Sequence, residues 1–409
     1  MSTLGACRSC REKDLFEFLS LGNHPLANAL LTEEDLGAPE QTYPLGLVVC
    51  TNCSLVQITE TVPPEILFRN YIYFSSFSDT MLRHAQEIAE RLRHERKLGP
   101  LSLVVEIASN DGYLLKNFVA AGVPVLGIEP ARNIARAADE KGIRTISEFF
   151  GADLARQLAA AGNTADVIIA NNVMAHAPDI NSMIAGVKTL LKPDGVLVME
   201  TPYLKDMLEK IEFDTMYHEH VFCHSLTALE HAFQRHGLAA SDVQWFPLHG
   251  GTIQVSVVHA GSERSRPAVR RMLDEEKTWG VSRPDTYRDF AGKVDSLRSA
   301  LTGLLHDLKT QGKRIAAYGA AAKGTTLLNS FGIGRESLDY IVDRSTHKQG
   351  KFMPGSHLRI YAPEHLLADQ PDYALLLAWN LVDEILAQQS EYRQRGGRFI
   401  IPVPKVNVI

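Results

Sequence analysis

The stretch VVEIASNDGYLL, residues 104–115, joins a predicted apolar strand to the start of a predicted helix. The alternation continues downstream, because helical segments separate three more apolar runs: VPVLGIEPA at 123–131, ADVIIANNV at 165–173 and VLVMETP at 196–202. Strands that alternate with helices in this way form a doubly wound parallel sheet. The sequence therefore predicts an α/β fold, to which HGGTIQVSVVHA at 249–260 adds a late strand.

A second alternation begins at KRIAAYGAAAKGTTLLNSFG, residues 313–332, and predicts a smaller α/β unit. A charged segment precedes it and predicts one or two long helices, whereas the beginning of the chain is rich in turns and short strands. We therefore expect four parts: an N-terminal segment at 1–70, a central unit at 71–262, a helical connector at 263–312 and a C-terminal unit at 313–409.

The bulk composition is that of an ordinary globular chain. Among 409 residues, 45% are hydrophobic and 22% are charged, and the net charge of −6 gives no reason to expect binding to nucleic acid or to acidic membranes. No apolar run approaches the roughly 20 residues that span a bilayer, and MSTLGACRSC has no apolar signal core. We expect a cytoplasmic protein without a membrane or nucleic-acid partner.

Four of the five cysteines form two C-x2-C pairs, separated by 39 residues. In a reducing compartment such pairs indicate metal binding rather than disulfide bonds. Two pairs offer four thiolates to one tetrahedral ion, which is typical of structural zinc, and a redox dithiol is the minor alternative. A segment this small would gain folding energy from the metal. We predict Zn²⁺ at Cys7, Cys10, Cys50 and Cys53.

The turn after the first central strand lacks the G-x-G-x-x-G fingerprint of dinucleotide sites. Its acidic rim would repel a pyrophosphate but would tolerate the sulfonium and ammonium of S-adenosylmethionine. Glu129, at the end of the next strand, can accept hydrogen bonds from ribose hydroxyls. An ordinary α/β domain with polar loops is the alternative. The predicted cofactor residues are Glu106, Ala108, Ser109, Asn110, Asp111, Gly112, Glu129, Asn171 and Asn172.

Several motifs occur in one order along nearly the whole chain. After the cysteines of the N-terminal segment come YIYFSSFS, EIASNDG, GIEP, NNVMAH, YHEH, HGG, AAYGAAAKG and LAWN. As a set they resemble the three-domain sugar C-methyltransferases, which methylate a ring carbon of nucleotide-linked 4-keto-deoxysugars. The resemblance implies a small zinc-binding domain, a central class I, Rossmann-like S-adenosylmethionine domain and a smaller Rossmann-like C-terminal domain that helps to hold the nucleotide-sugar.

The resemblance also implies roles for individual side chains. It makes His220, the last residue of YHEH, the base that removes a proton from the sugar, with Glu219 and Tyr217 in support. His176, which follows the two asparagines, and Tyr71 complete the implied catalytic set. His218 is left without a role and could face solvent. A metal at HEH is disfavoured, because H-E-x-x-H is the spacing that places two histidines on one helical face.

These residue types suit carbon methylation. A ketone at C4 acidifies the C–H bonds at C3 and C5, so a base can remove the proton while hydrogen bonds stabilise the enolate. A neutral histidine is suited to this task near pH 7. His176 alone is as consistent with a packing or capping residue as with a site residue.

Substrate contacts are predicted in three places. Tyr73 is the alternative to Tyr71 in the tyrosine-rich segment, and His249 precedes the two glycines of HGG. In the C-terminal unit, Lys323 lies at a predicted helix start, where backbone N–H groups and one cation could meet a pyrophosphate, and Lys351 lies in a basic loop. A solvated basic loop is the alternative for Lys351.

The expected activity is S-adenosylmethionine-dependent C-methylation of a nucleotide-linked, dTDP-type 4-keto-6-deoxysugar. Two alternatives stay open: an O-methyltransferase acting on a sugar or related small molecule, and a non-catalytic module that binds zinc and nucleotide. The sequence leaves open whether C3 or C5 is methylated, which nucleotide is carried, and whether the protein is a monomer.

Overall fold

The computed structural model describes residues 4–69, 76, 79–248, 250–262 and 265–409, with only the backbone at 79 and 80. Three sheets organise the chain, one in each of the N-terminal, central and C-terminal parts. The predicted α/β class is confirmed. The division at 70, 262 and 312 stays a prediction. No helix in the described ranges is long and apolar enough to cross a membrane.

The N-terminal sheet is antiparallel and has the order β1-β2-β3-β9. Its last strand comes from the central part of the chain and pairs Cys223 with Val56. The sheet therefore ties the cysteine-containing segment to the residues that directly follow YHEH. Its elements are β1 Leu15–Pro25, β2 Thr42–Cys50, β3 Val56–Ile58 and β9 Phe222–Cys223, and α1 Pro64–Phe68 follows β3.

The central sheet has seven strands in the order β10-β11-β8-β7-β4-β5-β6. The five strands from β8 to β6 are parallel, as predicted, and β11 and β10 extend one edge in antiparallel pairing. The strands are β4 Val104–Ile107, β5 Val125–Ile128, β6 Thr145–Ile146, β7 Ala165–Asn171, β8 Leu191–Pro202, β10 Leu238–Phe246 and β11 Thr252–His259. Because the parallel strands end at the same edge, the residues after β4, β5 and β7 meet there.

The helices of the central part cover both faces of this sheet, and two apolar clusters form the core on its two sides. They are α2 Asp79–Glu95, α3 Leu115–Ala120, α4 Arg132–Glu140, α5 Ala152–Ala160, α6 Ile180–Leu190, α7 Leu204–Glu209 and α8 Leu226–Arg235. The helix between β7 and β8, α6, ends at Leu190, because Pro193 would remove a helical hydrogen bond. The LKPDG segment instead begins β8, with an irregular register opposite β7.

The connector forms two helices, α9 Pro267–Trp279 and α10 Pro284–Thr310. Tyr287 and Phe290 of α10 pack their rings on Phe18 of β1, so the connector also contacts the N-terminal sheet. The C-terminal sheet has the order β14-β13-β12-β15-β16-β17. Its elements are β12 Ile315–Tyr318, α11 Ala322–Phe331, β13 Ile341–Val342, β14 Ile360–Tyr361, α12 Glu364–Asp369, β15 Tyr373–Leu376, α13 Val382–Gln388, α14 Ser390–Gln394, β16 Arg398–Ile401 and β17 Asn407–Val408.

Candidate active site and zinc centre

The four predicted zinc ligands converge in the N-terminal part. The sulfur atoms of Cys7 and Cys53 lie 3.6 Å apart, those of Cys10 and Cys50 lie 3.5 Å apart, and all four lie within 4.8 Å of one another. A tetrahedral ion with Zn–S bonds of about 2.3 Å needs sulfurs about 3.8 Å apart. The cluster therefore has the donor set and nearly the dimensions of a closed structural zinc site.

Both C-x2-C loops have the same backbone geometry. Arg11 N–H donates to the carbonyl of Cys7, and Ser54 N–H donates to the carbonyl of Cys50, so each loop is closed by one hydrogen bond. Arg11 and Ser54 both have positive φ, at 69° and 62°. A positive φ costs free energy in residues other than glycine, and it persists only where the surrounding structure fixes it. Here each loop presents two sulfurs to a common centre.

The turn after β4 is also conformationally unusual. Ala108, Asn110 and Gly112 all have positive φ, at 55°, 49° and 76°. Glycine is required at 112 for two reasons. Its positive φ disfavours any side chain, and a Cβ atom there would lie 2.7 Å from Cγ1 of Ile143. Strained backbone of this kind is characteristic of ligand-binding turns. Asn172, just after β7, repeats the feature with a φ of 54°.

Three carboxylates face one another at this edge of the sheet. Burial, with the charges of Glu129 and Asp111 added, raises the pKa of Glu106 well above its usual range. Burial also raises the pKa of Glu129, although its two oxygens accept the N–H groups of Asn110 and Ala131 at 2.9 and 2.8 Å. A cationic ligand would relieve this mutual repulsion.

Several buried oxygens at the same edge lack a hydrogen-bond partner within the described part of the chain. They are Oε2 of Glu106, Oγ of Ser109, Oδ1 of Asp111, Oδ1 of Asn171 and Oδ1 of Asn172. Buried polar atoms are normally paired, so unpaired acceptors indicate a missing donor. The ammonium and hydroxyl groups of S-adenosylmethionine are such donors, and the residues present fit that cofactor.

His220 is oriented through both ring nitrogens. Its Nδ1 lies 2.6 Å from the carbonyl oxygen of Thr215, and its Nε2 lies 3.3 Å from the hydroxyl of Tyr217. A carbonyl can only accept, so Nδ1 carries the proton and Nε2 is the basic nitrogen. The Tyr217 ring lies 4.3 Å from the His220 ring, centroid to centroid. In the neutral ring, this arrangement leaves Nε2 as the proton acceptor.

The predicted cluster partners lie around this ring. The ring of His176 is 4.8 Å from that of His220, and burial, with His220 next in effect, lowers the pKa of His176 to about 3. His176 is therefore neutral at pH 7. Nδ1 of His176 is buried and has no hydrogen-bond partner within the described ranges.

The N-terminal segment supports the YHEH loop. Asn28 donates to Oε1 of the buried Glu219 at 2.6 Å, and Nε2 of His218 donates to the carbonyl of Pro44 at 3.1 Å. His218 is only 2% exposed, so the alternative that it faces solvent is wrong. It anchors the loop on the N-terminal sheet.

Three other predicted site residues lie outside the described residues: Tyr71, Tyr73 and His249. Lys323 lies at the start of α11, as predicted, and its ammonium donates to Oδ1 of Asn380 at 2.6 Å. Lys351 lies beside Phe352, which pairs with Leu31 of the N-terminal part. The ligand-binding roles of Lys323 and Lys351 stay predictions.

Three family models match the chain in succession. A "Putative zinc binding domain" matches residues 7–68, a "Methyltransferase domain" matches 81–242, and a "C-methyltransferase C-terminal domain" matches 247–404. The C-methyltransferase NovU of Streptomyces niveus is 38% identical over 404 residues, covering 98% of this chain and 96% of that protein.

The chain belongs to the C-methyltransferase family. It is an enzyme, so the alternative of a non-catalytic binding module is wrong. It is an S-adenosylmethionine-dependent C-methyltransferase that also has a zinc-binding domain, in which the four cysteines cluster.

More distant relatives match less than half of this C-methyltransferase. A ubiquinone biosynthesis O-methyltransferase of Azorhizobium caulinodans is 28% identical over 127 residues, which are 30% of this chain and 47% of that protein. The structure of magnesium protoporphyrin IX methyltransferase from Synechocystis, with bound S-adenosylhomocysteine, is 13% identical. It covers 44% of this chain and 83% of that one, with a TM-score of 0.35.

Sequence reasoning did not single out several buried polar groups of this C-methyltransferase. His224 is fully buried, with Nδ1 3.1 Å from the hydroxyl of Thr201. Glu200, at the end of β8, pairs with His84 of α2 at 2.7 Å. The strand end of VLVMETP could have suggested Glu200, since polar residues at strand ends were the signal used elsewhere. No local pattern marks His84 or His224.

Proposed function

We propose that this C-methyltransferase acts on a nucleotide-linked 4-keto-6-deoxysugar, with dTDP as the expected nucleotide, and that His220 is its general base. One observation carries the proposal: the Nδ1–H of His220 donates to a backbone carbonyl, so Nε2 is left as the proton acceptor beside the Tyr217 hydroxyl. A base in a fixed tautomer is what C–H deprotonation requires.

The proposed reaction begins at the sugar carbon next to the ketone. Nε2 of His220 takes the proton from that carbon, and the electron pair of the C–H bond moves to the ketone oxygen as an enolate. When bound, S-adenosylmethionine would be held by Glu106, Glu129 and the 108–112 turn, and it would supply an electrophilic methyl group for the enolate carbon, with its thioether sulfur as the leaving group. The proton stays on His220 and leaves to solvent before the next turnover.

The neighbouring groups support this chemistry. Once Nε2 has taken the proton it no longer accepts from Tyr217, whose hydroxyl hydrogen can then be donated to the enolate oxygen. His176 is neutral at pH 7 and adds no cationic charge beside His220. A second positive charge there would make protonation of His220 harder.

The substrate class rests on the order of motifs along the chain and on the chemistry of carbon methylation. A saturated sugar carbon needs an adjacent ketone before a histidine can deprotonate it. In this proposal the C-terminal domain binds the nucleotide part of the substrate. We place the enzyme in the cytoplasm, where four zinc-binding thiols stay reduced.

The proposal is tested with a panel of nucleotide-linked sugars with and without a 4-keto group, each incubated with enzyme and S-adenosylmethionine. We expect one methylene to be added on carbon, only when the ketone is present, as seen by mass and ¹³C NMR. In D₂O without methyl donor, the same substrate should take up deuterium next to the ketone. Methylation of a hydroxyl, or equal turnover of substrates without a ketone, would exclude the proposal in favour of an O-methyltransferase.

A further inference from the structure

The carbonyl that fixes His220 belongs to a short 3-10 helix, Phe213–Thr215, that precedes YHEH. Thr215 is held in place by its own turn, since its N–H and its hydroxyl both donate to the carbonyl of Glu212, at 3.2 and 2.7 Å. The orientation of the His220 ring therefore depends on where this turn lies.

The C-terminal domain holds this turn. The ring of Phe213 stacks on Phe331, the last residue of α11, at 4.7 Å and 16°. The indole N–H of Trp379 donates to Oδ2 of Asp214 at 2.7 Å. Phe213 and Asp214 are both fully buried, so both contacts are shielded from water.

A partly buried lysine completes the contact. The ammonium of Lys323 lies 4.3 Å from the centroid of the Trp379 ring, which is a cation–π distance. Burial raises the pKa of Asp214 to about 6, and the charge of Lys323 opposes that rise. Asp214 is therefore ionised at neutral pH, and a charged acceptor strengthens the hydrogen bond from Trp379.

We propose that Asp214 and Trp379 are positioning residues for His220. The C-terminal domain would hold the 213–215 turn so that the Thr215 carbonyl fixes the tautomer and the direction of the base. This inference rests on the proposed function, in which His220 is the base. It gives a structural task to LAWN, residues 377–380, and to Lys323, distinct from any contact with substrate.

The test compares Trp379→Phe with a matched control, Tyr392→Phe. Trp379→Phe removes the N–H donor but keeps a ring beneath Lys323. Tyr392→Phe removes another buried donor of the same domain, whose hydroxyl donates to the carbonyl of Pro371 at 3.0 Å and contacts neither the turn nor YHEH. Asp214→Asn is a milder variant, because an amide oxygen can still accept from Trp379 but has no charge to face Lys323.

The first measurement does not depend on activity. Long-range ¹H–¹⁵N spectra of the zinc-loaded, histidine-labelled protein report which ring nitrogen of His220 carries the proton, with His220→Asn used for assignment. We expect the Nδ1–H tautomer in the wild type and in Tyr392→Phe, and a mixture of tautomers in Trp379→Phe. An unchanged His220 tautomer in folded Trp379→Phe and Asp214→Asn would overturn the inference.

The second measurement is turnover of a dTDP-linked 4-keto-6-deoxyhexose. We expect kcat to fall about tenfold or more in Trp379→Phe, and less in Asp214→Asn, while KM for both substrates stays within about twofold. A rise in KM with unchanged kcat would overturn the inference. If the tautomer of His220 changes but kcat does not, the positioning role of Trp379 is supported and His220 is not the base. The positioning proposal and the proposed function can therefore fail independently.

Discussion

At the scale of single residues, the proposed site depends on histidines whose protons are controlled by different means. His220 has its proton fixed on Nδ1 by a carbonyl, whereas burial keeps His176 and His224 unprotonated. His220 can therefore gain charge during the reaction without meeting a cation at its neighbour His176.

His220→Asn is expected to lower kcat about 1,000-fold, because general-base catalysis contributes roughly that factor. Affinity for S-adenosylmethionine, measured by calorimetry, should stay within twofold. His231→Asn is the matched control, since His231 is an exposed histidine of α8. Substantial turnover by His220→Asn would contradict its role as the base.

The pH dependence of stability should reveal the buried His224. Burial lowers its pKa from 6.5 to about 4, so between these values the unfolded chain binds the proton and the folded chain does not. The contribution of neutral His224 to stability is thus present above pH 6.5 and is lost as the pH falls towards 4. From pH 7 to pH 5, the wild type should lose about 2 kcal/mol more stability than His224→Gln.

Urea unfolding of both proteins at both pH values measures this difference. Burial raises the pKa of Glu212 to about 7 and that of Asp214 to about 6, so these acids stabilise the fold as the pH falls. They act equally in both proteins and cancel in the comparison. Equal losses of stability in the two proteins would show that His224 is not held neutral by burial.

At the scale of elements, the turn between β4 and α3 has three residues with positive φ at the predicted cofactor site. Gly112→Ala should weaken binding of S-adenosylmethionine about tenfold and destabilise the protein by about 2 kcal/mol. Strain at a φ of 76° and the contact with Ile143 both disfavour the methyl group.

Gly122→Ala is the matched control for that variant. Gly122 also has a positive φ, of 72°, but a Cβ atom there meets nothing within 4 Å. It should cost only the backbone strain and leave cofactor binding unchanged, as measured by calorimetry and thermal unfolding. Equal effects of the two substitutions on cofactor affinity would show that the 108–112 turn is not the cofactor site.

The sequence predicted the elements that carry a strong local pattern. The apolar runs at β4, β5, β7 and β8 and the spacing of the cysteines each depend on residues close together in the chain, and all were found. The contact between Asp214 and Trp379 joins residues 165 positions apart, so no local pattern reveals it. β9 has only two residues, too few to show a period of two.

At the scale of the whole molecule, the zinc domain and the C-terminal domain both hold the segment that runs from Phe213 to His220. Removal of zinc, by Cys53→Ser, should lower turnover at least about tenfold while binding of S-adenosylmethionine survives. The N-terminal domain would lose metal-derived folding energy, and with it the contacts of Asn28 and Pro44 to the YHEH loop.

Zinc content by mass spectrometry, cofactor binding by calorimetry and turnover are measured together for that variant. Cys223→Ala is the control, because Cys223 is a buried thiol outside the four-cysteine cluster. It should retain one zinc per chain. Full turnover by a zinc-free protein would contradict the supporting role of the N-terminal domain.

Pairing of β9 with β3 has a consequence for biosynthesis. Both C-x2-C loops leave the ribosome early, so the metal can bind while most of the chain is still to be made. The fourth strand of the same sheet is Phe222–Cys223, which is translated only after most of the central sheet. Domains usually fold in the order of synthesis, but here the first domain stays open at one edge until the second is nearly complete. Its nascent form should therefore present an unpaired strand edge that a chaperone could recognise.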